Sequence, residues 1–464
     1  MKKTCTLLLA ALMLFGLLVA CNGEPAATTA PPANNSEAPT TMDDTATPPP
    51  ADPDTPPPEP VELTIVYATG DQTGVELMHE RVLDFMAENQ HVTLVEKLGS
   101  SELAYLDHLQ TLDAVNELPD IIEMRNMPQF ARAGKIGELP GDIMNLFDSP
   151  IGYNGIFYTA PIVESYPNGI VYSKKIFDDL GIKVEDIKVY NDFLDVCQKI
   201  KDSGVAPIVV GGSDIWHIGF WWSYFWRNEV SVNNPNWLSD KYEGKVSFTD
   251  ANVKAAMEGL NDLFHRGFIE EGWASTAEAT CPSILVSGQA AMYYIGSFAF
   301  SQITEADPDF EFGFFALPDK NGKYNITGGP TAEGWAINAE TQKDPAKAAV
   351  VYDFINYFFR TDVYTDFVTR YQMLPTLKEN ITFSSTEQFN ETMRISEIAD
   401  DKQLNWNLGV GNNEMPPNFR NYCYKLVSEW FMDVSTLEDG LAAMDAEWIT
   451  CTQDFNPVIG LYPQ

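Results

Sequence analysis

Positive charge is what this sequence has least of. Lys and Arg number 29 against 66 Asp and Glu, a net charge of −37 over 464 residues. A surface this acidic repels phosphate backbones and anionic lipid headgroups, which excludes nucleic acid as a partner. It favours a soluble body that carries neutral or cationic small molecules. The five histidines (His79, His91, His108, His217, His265) are scattered without metal-ligand spacing. Six cysteines are too few for a disulfide scaffold in a chain this long. Those of the body (Cys197, Cys281, Cys423, Cys451) contain no C-x-x-C pair. Cys197 falls in a helical pattern beside Val196 and Ile200 and reads as a buried structural thiol, while a disulfide among the other three stays open. The chain has no G-x-G-x-x-G, no G-x-x-x-x-G-K-[ST], no H-E-x-x-H and no G-x-S-x-G. Neither an enzyme nor a cofactor nor a bound metal is expected. Acid pairs such as Asp178-Asp179 and Glu270-Glu271 read as solvated surface rather than as glycosidase carboxylates. With a mean hydropathy of −0.17 and one long apolar run, a polytopic membrane protein is excluded.

That run, Leu7 to Ala20, follows the positive pair Lys2-Lys3 and is too short to span a bilayer comfortably. It suits the apolar region of a secretory signal. It ends in Leu18-Val19-Ala20-Cys21, which resembles the bacterial lipobox. The resemblance implies that residues 1–20 are a signal peptide and that Cys21 becomes a lipidated N-terminus carrying diacylglycerol and palmitate. Residues 21–60 then form an acidic linker. From Asn22 to Pro60 there are twelve Pro, seven Ala and seven Thr, with no aromatic residue, Lys or Arg. Such a stretch cannot bury enough apolar surface to offset its ordering entropy, and its Pro triplets favour extended polyproline II. A long tether has a purpose when one end is anchored, so linker and lipobox support each other.

The body starts at Val61. Val61 to Ala68 reads as a buried strand that stops at Thr69-Gly70-Asp71, and Val75 to Asn89 has helical periodicity. His91 to Lys97 is a second strand, Leu103 to Glu117 a helix, and Pro119 to Met124 a third strand. Strands alternating with helices imply βαβ units and a mostly parallel sheet, with ligands collecting at the carboxyl ends of strands. Further strands are expected at Gly169–Ser173, Ala206–Val210, Phe310–Leu317 and Trp335–Asn338, and long helices at Pro345–Phe359, Phe419–Phe431 and Leu437–Trp448. No fixed-period repeat occurs.

Three stretches carry a specific resemblance. Tyr158 to Gly181 (YTAPIVESYPNGIVYSKKIFDDLG) is similar to the segment in which sugar-binding proteins of ABC importers cross between lobes. Ser287 to Phe298 (SGQAAMYYIGSF) resembles that family's "GkaAM" motif. Phe312 to Leu377, with GFFALPDKNGKYNITGG and the long helix ending in MLPTL, resembles its second and third crossings. Leu437 to Trp448 resembles its usual last helix. In matching order these similarities span Val61 to Trp448 and identify the chain as resembling extracellular solute-binding protein family 1, the maltose-binding type. The resemblance implies an α/β, two-lobed periplasmic-binding-protein-like type II fold with multiple hinge crossings. Crossings are expected near Pro161–Ser165, Gly328–Glu333 and Leu374–Thr376. Lobe one is then 61–163 plus 334–375, and lobe two 165–327 plus 376–464. The implied function is that of a substrate-binding lipoprotein, monomeric and held on the extracytoplasmic face of a cell membrane by its lipid alone. It would capture a sugar or oligosaccharide and deliver it to the permease subunits. The linker suggests a single-membrane, Gram-positive cell.

A sugar offers hydroxyls that need directional partners and C–H faces that stack on aromatic rings. Topology places Asp71 and Gln72 after the first strand and Arg125 and Asn126 after the third. Glu164 falls on the first crossing, Glu333 and Trp335 on the second. Asp214, Trp216 and His217 follow the APIVV strand and its Gly211-Gly212 pair, where an aromatic and a donor in a polar loop have little structural excuse. Phe298 stands where the family often has a stacking Trp, and Trp406 is a lone aromatic among polar neighbours. Trp221, Trp222, Phe225 and Trp226, at helical spacing, read as core of lobe two. Structural alternatives stand beside these: Trp335 as a buried strand residue, Arg125 paired with Glu123, and Asp71 as a helix cap. Two rival functions remain. One is a binding protein for a peptide or polyamine; the other is a surface glycoside hydrolase, which needs two carboxylates about 5–10 Å apart across the cleft.

Overall fold

The computed structural model describes residues 59–453 except 70, 100–104, 154, 165–166, 407–408 and 410. The signal-like segment, Cys21, nearly all of the Pro-rich linker, Gly70 and Ser165 lie outside the described residues. From Pro58 onward the chain forms one compact unit, built on two four-stranded sheets.

The first sheet has the order β2-β1-β3-β9, from strands β1 (Val61–Val66), β2 (Val92–Glu96), β3 (Ile121–Met124) and β9 (Gly334–Ile337). β1 pairs parallel with β2 and with β3, and β9 closes the edge antiparallel to β3. Leu63 and Ile65 point into one core with Leu77, Val82 and Phe85 of the helix Gln72–Glu88 and Phe354 and Phe358 of the helix Pro345–Phe358. Val66 and Ile122 point the other way, into a second core with Leu109 and Met127. Burial on both faces explains why these strands are apolar almost throughout.

The second sheet has the order β5-β6-β4-β7, from β4 (Gly169–Ser173), β5 (Ala206–Val209), β6 (Ala290–Ile295) and β7 (Phe312–Phe315). It is mixed: β5 and β6 are parallel, but β4 runs antiparallel to both of its neighbours. The expectation of mostly parallel pairing therefore holds for the first sheet and not for the second. A small parallel pair, β8 (Asn325–Thr327) with β10 (Asp401–Gln403), completes the strands among the described residues. Against the second sheet lies the helix Ile215–Trp226, with Trp221 and Trp222 fully buried. The expected lobe-two core is there.

Three segments run side by side between the sheets. Ala160 and Trp335 exchange both backbone hydrogen bonds at 2.9 Å, the Glu164 N–H donates to Leu374 O, and the Thr376 hydroxyl donates to Pro161 O at 2.7 Å. The buried Tyr364 hydroxyl donates to Ile162 O at 2.7 Å and accepts from the Thr376 N–H at 3.0 Å. Gly334 is required here, since a Cβ would stand 2.1 Å from Ala160 O. These are the segments in which the sequence places its crossings. The body cysteines Cys197, Cys281, Cys423 and Cys451 are all free thiols, which closes the question of a disulfide among the described residues.

Candidate functional site

Where the chain leaves β3 it delivers Arg125 to the space between the sheets. Its Nε and Nη2 donate to Glu123 Oε1 at 3.0 and 2.7 Å, and its guanidinium lies 5.5 Å from the Tyr105 ring centroid. Glu123 is itself fixed, accepting the Ala68 N–H at 2.7 Å. Arg125 therefore does pair Glu123, yet its side chain stays 43% exposed. Burial works against its charge, and Glu123 and Glu333 more than offset that, holding the guanidinium above its usual range. Glu333, from the second crossing, has its carboxyl raised by burial, with Arg125 and Arg420 pulling it down and Glu123 pushing it up. Arg420 belongs to the helix Pro417–Phe431, whose Phe419 and Cys423 pack into the core beside the second sheet. Arg125 and Arg420 thus both act electrostatically on the Glu333 carboxyl, while the Arg420 guanidinium itself donates to Asn421 Oδ1. Such a set supplies directional donors and acceptors for hydroxyl groups.

Asp71 lies within electrostatic reach of Arg125 but is held by protein donors. Its Oδ1 accepts from Gln302 Nε2 at 2.6 Å and its Oδ2 from the Tyr371 hydroxyl at 2.5 Å. Burial raises its carboxyl, while Tyr371, Gln302, the Gly74 N–H and Arg125 oppose that rise. Gln72 and Asn126 do not reach the site. Gln72 is exposed and donates to Glu76, and Asn126, at φ 66°, donates to Gln129 Oε1 one turn on. Glu164 lies at the crossings, its carboxyl raised by burial and by Asp148, and lowered by Lys402.

The stretch after β5 needs correction. Trp216 and His217 are not in a polar loop but in the first turn of the helix Ile215–Trp226. His217 is 0% exposed; its Nδ1 accepts the Gly211 N–H at 2.9 Å and its Nε2 donates to Tyr294 O at 3.1 Å. Burial pushes the imidazole down to about 4, so it packs as a neutral ring with both nitrogens spent. Asp214 accepts the Glu278 N–H at 2.7 Å and thereby anchors the turn Glu278–Thr280. Gly211 and Gly212 serve close approach rather than tight turning: a Cβ on Gly211 would stand 2.5 Å from Glu278 Cα, and one on Gly212 2.3 Å from the Trp273 ring. Trp216, like Asp214, remains half-buried, its ring 5.4 Å from Phe220 and 6.3 Å from Phe298. Phe298 is buried beside it.

Two further aromatics leave the candidate set. Trp335 is 0% exposed and packs edge-on to Phe354 and Phe358. Trp406 is stacked 4.4 Å from Trp222, its Nε1 donating to the Tyr424 hydroxyl. Sequence reasoning missed Glu123, Tyr105, Gln302, Tyr371 and Arg420. Only Glu123 had a local signal, as a charge inside an apolar strand. It also missed Glu278, 1% exposed, whose Oε1 accepts from the Tyr293 hydroxyl and whose carboxyl burial pushes up to about 8. No cluster of His, Cys, Asp and Glu that could hold a metal ion occurs among the described residues.

Comparison with known proteins fits this arrangement. A model of bacterial extracellular solute-binding proteins matches residues 69–364. The multiple sugar-binding protein of Streptococcus mutans serotype c is 24% identical over 297 residues, 61% of this chain and 68% of that one. A chitin oligosaccharide binding protein superposes with a TM-score of 0.75 at 20% identity, covering 85% of this chain and 99% of that chain. A sugar transporter from Bacillus licheniformis, in complex with stachyose, gives 0.68 at 14% identity over 84% and 100%. The structural matches establish the two-lobed α/β architecture. Since the family pattern covers well over half of the sequence, the chain belongs to the bacterial extracellular solute-binding protein family.

Proposed function

We propose that this protein is the substrate-binding lipoprotein of an ABC importer, capturing a sugar or oligosaccharide between its lobes and handing it to membrane permease subunits. The observation that carries the reading is the part-exposed Arg125 at the end of β3, held by Glu123 in a fold whose solved neighbours are two-lobed solute-binding proteins. Hydroxyl groups bound between the lobes would be gripped from both sides, so ligand favours the closed arrangement and closure presents a new outer surface to the permease. Trp216 and Phe298 supply an aromatic wall for a pyranose face. The curated relative and the solved neighbours named for sugars support the ligand class. The lobes are taken as 61–163 plus 334–375 and 165–327 plus 376–464, with Cys21 as the lipid anchor on the extracytoplasmic face and the body working as a monomer. The protein binds without turnover and needs no cofactor.

Calorimetric titration against neutral oligosaccharides, peptides and polyamines tests the ligand class. Saturable heat with an oligosaccharide that is recovered chemically intact is the expected result. Binding confined to a polyamine or peptide would replace the sugar reading, and cleavage products at stoichiometric enzyme would move the protein to the glycoside hydrolases.

A further inference from the structure

We infer that two polar contacts across the cleft, Asp71 with Gln302 and Arg132 with Glu414, are clasps that hold the lobes together before any ligand arrives, and that these residues tune affinity by positioning the lobes rather than by touching the sugar. The inference rests on the binding reading of the cleft and deepens it.

Asp71 stands at the head of a helix packed on the first sheet, whereas Gln302 lies in the helix Ala299–Ala306, which follows β6 of the second. Both carboxylate oxygens of Asp71 are engaged by protein donors, and beside them the Ser301 hydroxyl donates to Thr73 Oγ1 at 3.2 Å. A carboxylate so occupied has little left to offer a sugar hydroxyl. At the second clasp, Arg132 ends the helix Met127–Arg132 of the first half and its Nη2 donates to Glu414 Oε2 at 2.8 Å. Glu414 is only 2% exposed and belongs to the second half, where its backbone carbonyl accepts from the Tyr242 hydroxyl at 2.7 Å.

Both clasps carry a built-in cost. Gln302 Oε1 and Glu414 Oε1 are buried with no hydrogen-bond partner, and a buried acceptor left unpaired opposes the gain from the bond beside it. Burial also pushes the Glu414 carboxyl up to about 7, against the pull of Arg132. Contacts that hold but are incompletely satisfied can open readily in water, as a capture device requires. Affinity then follows the closed fraction: lowering that fraction weakens every ligand by the same factor, whatever its chemistry. Loss of a direct contact would instead discriminate among ligands.

The test places spin labels at Val115→Cys and Val434→Cys, 59% and 68% exposed and one on each side of the cleft, with Cys21 and Cys451 changed to serine. Gln302→Ala and Glu414→Gln should each lengthen the ligand-free distance, and the two together should lengthen it further. Dissociation constants for all oligosaccharides that bind should rise by a common factor of roughly three to ten. The exchanged pair Arg132→Glu with Glu414→Arg should restore the short distance, a rescue that a merely structural role would not produce. Unchanged distances with selective loss of one ligand would make these residues sugar contacts and overturn the inference. Unchanged distances with unchanged affinity would show the contacts to be inert. The distance measurement needs no ligand, so it stands even where the titrations find no sugar.

Discussion

Four tryptophans show how far a residue's neighbours in sequence mislead about its neighbours in space. Trp406 sits in a polar-looking stretch yet is buried against Trp222, whereas Trp335, whose strand pattern already offered a buried reading, packs on Phe354 and Phe358. Trp222 itself was legible as core from its helical spacing. Trp216 keeps a half-exposed ring at the cleft, so Trp216→Ala should weaken sugar binding at least tenfold, through lost stacking and lost buried area, with little change in the melting temperature of the free protein. Trp335→Ala should cost about 3–5 kcal/mol of stability, as truncation of a fully buried large ring does. Calorimetry beside thermal unfolding separates the two, and a collapsed melting temperature for Trp216→Ala would return that residue to the core. Glu278 makes the complementary case for charge. Its folded-state carboxyl, pushed up to about 8 by burial, binds a proton more tightly than the unfolded chain does at an ordinary value of 4.5. The stability this confers is complete below about pH 4.5 and is lost as pH rises through about 8. Glu278→Gln should therefore unfold at a higher urea concentration than the natural protein at pH 8 and lose that advantage towards pH 5. Parallel pH profiles for the two proteins would mean that the carboxyl is solvated.

At the scale of elements, most of the fold was readable and the reasons for the misses are physical. Gly169–Ser173 appears as the sequence sets it, a short strand buried at all but one position, and the helix Lys174–Leu180 that follows stops at Gly181, φ 58°. The helix Ile215–Trp226 was extended too little at its start because it is apolar all round, so no amphipathic period marks where it begins. Within the candidate site, Arg125 and Glu333 could be found from strand ends and crossings. Gln302, Tyr371 and Arg420 could not, because each lies on an ordinary helical stretch and gains meaning only when the second half folds against the first. The hinge shows the same dependence. Tyr364 is 202 residues from Ile162 in sequence, yet its hydroxyl ties the Ile162 carbonyl to the Thr376 N–H. Tyr364→Phe leaves the Ile162 carbonyl without that donor and the Thr376 N–H without its acceptor. It should lower unfolding free energy by about 1–3 kcal/mol, the range for buried groups left unpaired. Denaturant titration reads this directly, and a loss under a few tenths would show that water or a shifted backbone replaces the hydroxyl.

For the whole molecule, charge and tether act together. The seven acids between Asn22 and Pro60 (Glu24, Glu37, Asp43, Asp44, Asp52, Asp54, Glu59) repel one another and the anionic membrane surface alike. Among the described residues no helix is long and apolar enough to cross a membrane. For the proposed lipid anchor, the Leu18-Val19-Ala20-Cys21 sequence offers a single thiol. Two acyl chains carry enough buried methylene for stable anchoring, whereas one chain gives only reversible attachment. Cys21→Ser removes that thiol while leaving the apolar run intact, so the variant should leave the membrane fraction and appear soluble outside the cell, with its oligosaccharide affinity unchanged. Fractionation followed by calorimetry on the released protein makes the measurement. A variant that stays with the membrane would show that the apolar run itself is the anchor, and one that is released but no longer binds would tie the N-terminal segment to the cleft.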